Sequence, residues 1–201
     1  MILLPRLYAV ADAAFGNPVT LAQSLFDGGA RLVQIRNKHA GSSELLEQVE
    51  ATLKIAPPDA RVIVNDRVDV AVLTKAGGVH LGQDDLDLEQ ARKVTGLNSV
   101  VGLSTHNMEQ ALRGDRTSAD YLAVGPIFAT TTKPDASPVV GLERLREICR
   151  AVEKPVVAIG GITLATAPDV LKAGVSAVAV ISGLLSANDI STETRRWVSS
   201  L

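Results

Sequence analysis

The sequence predicts an α/β fold, one (β/α)8 TIM barrel domain over residues 1–201. Three observations carry that expectation. Apolar residues make up 46% of the chain and aromatics only 3%, which favours an interior of Val, Ile, Leu and Ala, the residues that tile parallel strands and their covering helices, over a β-sandwich. Strand-like apolar runs alternate with helical periodicity about eight times along the sequence, the number that closes a parallel sheet into a barrel. Several helical segments end in Gly just before the next apolar run, where a left-handed cap is expected.

Each element follows from local pattern. "RLYAVAD" (6–12) is the first strand, and a helix near 21–28 ends in the glycines of "DGGARLVQ". "RLVQIR" (31–36) and "RVIVND" (61–66) are the next strands, followed by helices near 43–55 and 67–76. "KAGGVH" caps the second of these and opens "GGVHLG" (77–82), with a helix near 87–95 behind it. "SVVGLS" (99–104) precedes a helix near 107–113, and "DYLAVGPIF" (120–128) precedes one near 141–152. "PVVAIGG" (155–161) leads to a helix near 164–173, whose Pro168 falls in the first turn, where a missing N–H costs little. "KAGVSAVAV" caps that helix and begins the last strand, "AVAVIS" (177–182), and a helix near 190–199 closes the chain.

Net charge is −2 and the basic residues are scattered, so there is no electrostatic footprint for nucleic acid or an anionic membrane. Small molecules are the expected partners. The lone Cys149 can form neither an intramolecular disulfide nor a Cys-based metal site, which fits a reducing cytoplasm. "MILLPRLYAVAD" is broken by Pro5, Arg6 and Asp12, too short an apolar run for a signal peptide or membrane span. The expectation is a soluble, unprocessed cytoplasmic protein, and a homo-oligomer is compatible with it. No composition shift or long linker suggests a second domain.

In such a barrel the chemistry sits at the C-terminal ends of the strands. Period-two alternation puts Gln34, Arg36 and Lys38 of "QIRNK" on one side. Neighbouring cations of this kind repel unless an anion lies between them, and Arg suits bidentate phosphate contacts; the bland alternative is a solvated strand end. Asp66 and Asp85 end adjacent strands, where two carboxylates could bind Mg²⁺ together with substrate phosphate oxygens. Spacing supports equally that they cap the following helices, and Asp84 competes with Asp85 for either role. Gly160, Gly161 and Ser182, after strands seven and eight, fit a second phosphate site made by loop N–H groups; the glycines equally suit a tight turn. His80, inside an apolar strand, fits a hydrogen-bonded core histidine or a ligand contact. His39 and His106 carry no specific signal. There is no Ser-His-Asp order, HExxH, GxGxxG or P-loop.

The stretches "QIRNK" (34–38), "NDRVDVAVLTKAGGVHLGQDDL" (65–86), "GLSTH" (102–106), "GPIFATTTKPDASPVVG" (125–141), "AIGGI" (158–162) and "AVISG" (179–183), in that order, closely resemble the thiamine phosphate synthase family. The resemblance implies a (β/α)8 barrel that joins hydroxymethylpyrimidine pyrophosphate to hydroxyethylthiazole phosphate with Mg²⁺, giving thiamine phosphate and pyrophosphate. It puts Gln34 on the pyrimidine, Arg36, Lys38, Asn65, Ser104 and Lys133 on its pyrophosphate, and Mg²⁺ on Asp66 and Asp85. Thr130, Thr132, Gly160, Gly161, Ile181 and Ser182 fall near the thiazole phosphate. The family reaction is dissociative, so pyrophosphate leaves before the thiazole nitrogen attacks, and Arg36, Lys38, Ser104 and Lys133 are the residues expected to act on it. Two departures, Ile35 where Leu is commoner and Gly77 where Asp is frequent, fall on positions without an implied role. The rival functions are a related thiazole tautomerase, which would lack the pyrophosphate and metal set, and a barrel that binds a thiamine precursor without turnover.

Overall fold

A computed structural model describes residues 3–130, 132 and 137–201. Eight parallel strands form a closed barrel in chain order, with β8 returning to β1. They are β1 (Leu7–Asp12), β2 (Leu32–Arg36), β3 (Arg61–Asn65), β4 (Gly78–Leu81), β5 (Val100–Thr105), β6 (Tyr121–Val124), β7 (Val156–Ile159) and β8 (Ala177–Val180). The helices are α1 (Pro18–Asp27), α2 (Ser42–Ile55), α3 (Val68–Leu73), α4 (Leu88–Thr95), α5 (Met108–Asp115), α6 (Gly141–Ala151), α7 (Ala167–Lys172), α8 (Ser182–Leu185) and α9 (Ile190–Ser200). No described helix is long and apolar enough to cross a membrane.

Strand alternation sorts the apolar residues into two cores. One face of each strand, including Val33, Ile35, Val62, Val64 and Val101, packs on the surrounding helices. The other face fills the barrel centre with Tyr8, Leu32, Ile63, Val100, Tyr121, Ala123, Val157, Ala177 and Ala179. The aliphatic interior expected from composition holds for the outer layer. The centre instead contains both of the chain's tyrosines. Small residues make room for them: a Cβ on Gly102 would lie 2.1 Å from the Tyr121 ring.

The boundaries differ from expectation where side-chain chemistry acts. Helix α1 starts at Pro18, earlier than expected, because Asn17 accepts from the N–H groups of Val19 and Thr20. The sixth strand ends at Val124 rather than Phe128: Pro126 has no N–H for the ladder, and Ile127 and Phe128 donate instead to the carbonyls of Ile159 and Gly160 across the end of β7. Four residues after β8 form α8, a turn the sequence pattern did not announce. Gly29 and Gly174 take the left-handed conformation expected of them, but in "KAGGVH" the left-handed residue is Lys75, with φ +57°. Gly77 and Gly78 are glycines because a Cβ would lie 2.4 Å from the Arg61 side chain and 2.1 Å from the Val100 carbonyl oxygen. Pro168 does lie in the first turn of α7.

Candidate active site

Strand β2 aims Gln34 into the barrel and Arg36 at its mouth, in register with Val10 and Asp12 of β1. Arg36 Nη1 donates to Asp12 Oδ2 in a pair whose side chains are 14% and 4% exposed. Lys38, just past the strand end, lies 3.2 Å from Asp66 Oδ2. The two cations expected to need an anion between them are thus each held by a carboxylate. Asp12, absent from the expected site set, is the last residue of β1, so its strand-end position is the sequence signal that marks it.

Asp66 and Asp85 do not cap helices. Arg67 is the N-cap of α3 and makes no side-chain cap bond, whereas Asp87 caps α4 by accepting from Glu89 and Gln90. Asp66 instead sits in the left-handed region, φ +62°, a conformation Asp tolerates better than most residues. Asp85 Oδ2 accepts from Gly82 N at 2.6 Å. Burial raises the pKa of the Asp85 carboxyl, as does its contact with the Asp66 carboxylate, while the Gly82 N–H and the Lys38 charge work the other way. The two acids therefore face each other. Asp84 is exposed, whereas Asp85 is partly buried.

Below the mouth, the polar groups of the barrel centre are linked. Gln34 Nε2 donates to Tyr8 Oη at 2.8 Å, and the Tyr8 and Tyr121 hydroxyls are 3.0 Å apart. His80 Nδ1 is 2.9 Å from Tyr121 Oη, and its Nε2 is 2.9 Å from Ser104 Oγ. The His80 and Tyr121 rings stack 5.5 Å apart, with Tyr8 edge-on to Tyr121. His80 is therefore a bonded core residue whose imidazole reaches the mouth through Ser104. Burial drives both phenol pKa values well above the usual range, so each tyrosine is a neutral O–H group. Asn65 ends β3 half-buried, in register with His80.

On the opposite rim, hydroxyls form a second group. Thr130 Oγ1 lies 3.3 Å from Thr132 Oγ1, which lies 3.3 Å from Ser182 Oγ. Ile181 precedes α8 and Ser182 begins it. Gly160 and Gly161 have φ of +100° and +65°, and a Cβ on either would meet Pro126, Phe128 or Ala129 within 2.5–2.8 Å. These glycines thus let residues 126–129 lie against the end of β7. Trp197 is buried, with its ring 3.4 Å from the Cβ position of Gly183, so it supports the α8 turn from within the chain. Thr131, Lys133 and Pro134 lie outside the described residues.

These features define a (β/α)8 barrel with cations, carboxylates and hydroxyls gathered at the C-terminal face of its strands, the face where enzymes of this architecture carry their chemistry. The family model for thiamine monophosphate synthase matches residues 7–184. The thiamine-phosphate synthases of Chloroflexus aurantiacus and Koribacter versatilis are 44% and 47% identical to this chain, over 95% and 90% of it and 90% of each relative. The solved thiamine phosphate pyrophosphorylase of Pyrococcus furiosus superposes with a TM-score of 0.89 at 38% identity, covering 98% of this chain and 97% of that one. The chain belongs to the thiamine monophosphate synthase family.

Proposed function

We propose that this protein joins hydroxymethylpyrimidine pyrophosphate to hydroxyethylthiazole phosphate, releasing pyrophosphate and forming thiamine phosphate. Family membership supports the reaction. The charge balance of the mouth is the observation that supports the leaving-group chemistry. Among the described residues, Asp12, Asp66 and Asp85 stand against Arg36 and Lys38. With both of these cations already paired and two acids facing each other, these five groups by themselves offer a pyrophosphate no surplus of positive charge. The missing charge fits a hard divalent cation on oxygen ligands. Mg²⁺ ordinarily takes one or two carboxylates together with substrate phosphate oxygens and water, which a pair of aspartates beside a pyrophosphate would match.

Asp66 and Asp85 would hold Mg²⁺, which would supply positive charge at the pyrophosphate leaving group. Arg36, Lys38 and Asn65 orient that group, and Ser104 donates a hydrogen bond to it. Lys133 joins them by resemblance. Gln34 binds the pyrimidine, with His80 behind Ser104, and Thr130, Thr132, Gly160, Gly161, Ile181 and Ser182 hold the thiazole phosphate. The attacking ring nitrogen carries a lone pair and needs no general base. Charge stabilisation at the leaving group therefore carries the rate.

The test is thiamine phosphate formation from the two precursors, with Mg²⁺ and then with chelator. Product that depends on Mg²⁺ supports the reading. Asp85→Asn is expected to lower kcat roughly 10²- to 10³-fold, the size of one preorganised charge contact; near wild-type turnover would remove Asp85 from the site. A tautomerase would bind the thiazole phosphate and give no coupled product.

A further inference from the structure

Resting on that proposed reaction, we infer that Tyr8, Tyr121 and His80 form a directional hydrogen-bond relay, making Tyr121 a positioning residue that couples the pyrimidine-binding Gln34 to the leaving-group donor Ser104. The number of protons available fixes the direction of the bonds. Gln34 spends an N–H on Tyr8 Oη, and the other partner of that hydroxyl among the described residues is Tyr121 Oη. Each hydroxyl owns one proton. Tyr8 must therefore donate to Tyr121, and Tyr121, having accepted, must donate to His80 Nδ1. An accepting Nδ1 places the ring proton on Nε2, which donates to Ser104 Oγ. The Ser104 proton is then left for a group at the mouth.

With a neutral imidazole, and among the described partners, one other arrangement satisfies every member. If the Gln34 amide is turned to present its oxygen to Tyr8, all the bonds reverse, His80 carries its proton on Nδ1, and Ser104 spends its proton inward. Mixed arrangements leave a buried O–H without an acceptor, which is costly. The two ends of the relay thus change character together. An anion against Ser104 selects the direction in which Ser104 donates, and this same direction keeps Gln34 with its Nε2 on Tyr8 and its Oε1 unspent.

The packing is built around this chain of contacts. Tyr8 and Tyr121 are 2% and 0% exposed in a barrel centre where their hydroxyls meet Gln34 and His80 among aliphatic side chains. Gly102, the register partner of Tyr121, has no side chain where the Tyr121 ring passes, and any Cβ would stand 2.3 Å from Tyr121 Oη. A buried hydroxyl used only as filler would be replaceable by Phe without effect on the mouth. Here each hydroxyl links two polar groups that end at residues of the proposed site.

Two measurements test the relay. Nitrogen-15 NMR of the wild-type protein with pyrophosphate and Mg²⁺ reads the tautomer of His80, one of only three histidines in the chain. A neutral ring protonated on Nε2 is expected. A ring protonated on Nδ1 would overturn the relay even if thiamine phosphate synthesis fails, so the two readings are separable.

The second measurement is a double-mutant cycle of Gln34→Ala and Ser104→Ala on kcat/KM, run in wild type and in Tyr121→Phe. In wild type the two substitutions are expected to be non-additive by about threefold or more. In Tyr121→Phe, itself slowed about tenfold, they become additive within about twofold, an interaction energy that loss of packing alone would not move. Additivity in wild type, or coupling unchanged by Tyr121→Phe, sinks the inference while leaving the synthase reaction intact. Should Tyr121→Phe fold poorly, Tyr8→Phe cuts the same chain one hydroxyl earlier.

Discussion

At the scale of single residues, the pairing of Arg36 with Asp12 decides how the mouth is charged. Asp12 is almost fully buried and also accepts from Ala14 N. Asp12→Asn keeps that second bond but removes the charge, leaving a guanidinium only 14% exposed without its counterion. A stability loss of about 3 kcal/mol is expected in urea unfolding, at the low end for a broken buried pair because Arg36 keeps some solvent. A loss under about 1 kcal/mol would mean that solvent replaces the carboxylate. Cys149 offers a separate check on packing. Burial pushes its thiol from 9.0 up to about 11. A raised pKa means less thiolate at neutral pH, by roughly a hundredfold for two units, so alkylation at pH 8 should be slow and should accelerate as pH rises toward 11. Modification at the rate of a free thiol would contradict that environment.

At the scale of elements, the glycines of the strands show what pattern reasoning could reach. "SVVGLS" was legible as a strand from its apolar run, and a glycine inside a strand marks a close approach. What approaches was not legible, because the Tyr121 ring comes from the neighbouring strand and depends on register. Gly102→Ala is expected to cost about 1–3 kcal/mol, the usual penalty for overpacking, and to lower activity by displacing the Tyr121 hydroxyl. The measurement is chemical denaturation beside turnover, and an alanine variant as stable and active as wild type would show that the ring has another place to go. The helix ends follow the same rule. Asn17 and Pro18 moved the start of α1 through a local cap that could have been recognised, whereas α8 arises where the chain leaves β8 and turns over Trp197, a contact far apart in sequence.

At the scale of the whole molecule, the barrel was legible because parallel strands and covering helices impose different periods on one chain. The residues at the strand ends were legible as a set for the same reason, since closure brings every such end to one face. Their pairing was not, because Arg36 with Asp12 and Lys38 with Asp66 are contacts between strands and loops that share no sequence pattern. That pairing has a thermodynamic consequence for the folded chain. A mouth whose described charges already balance in pairs, plus one further carboxylate on Asp85, should bind neither Mg²⁺ nor pyrophosphate tightly alone. Two carboxylates give the metal too few ligands, and the paired cations give the anion too little charge. Together each supplies what the other lacks. Ligands present at about a hundredfold over their dissociation constant stabilise the folded state by about 2.7 kcal/mol, and for a chain of this length that raises Tm by roughly 5–10 °C. Thermal unfolding should therefore show a large shift with Mg²⁺ and pyrophosphate combined, and shifts of at most about 2 °C with either one. A full shift with Mg²⁺ alone would mean that the protein closes the coordination shell by itself, and a full shift with pyrophosphate alone would mean that the protein's own cations suffice to hold the anion.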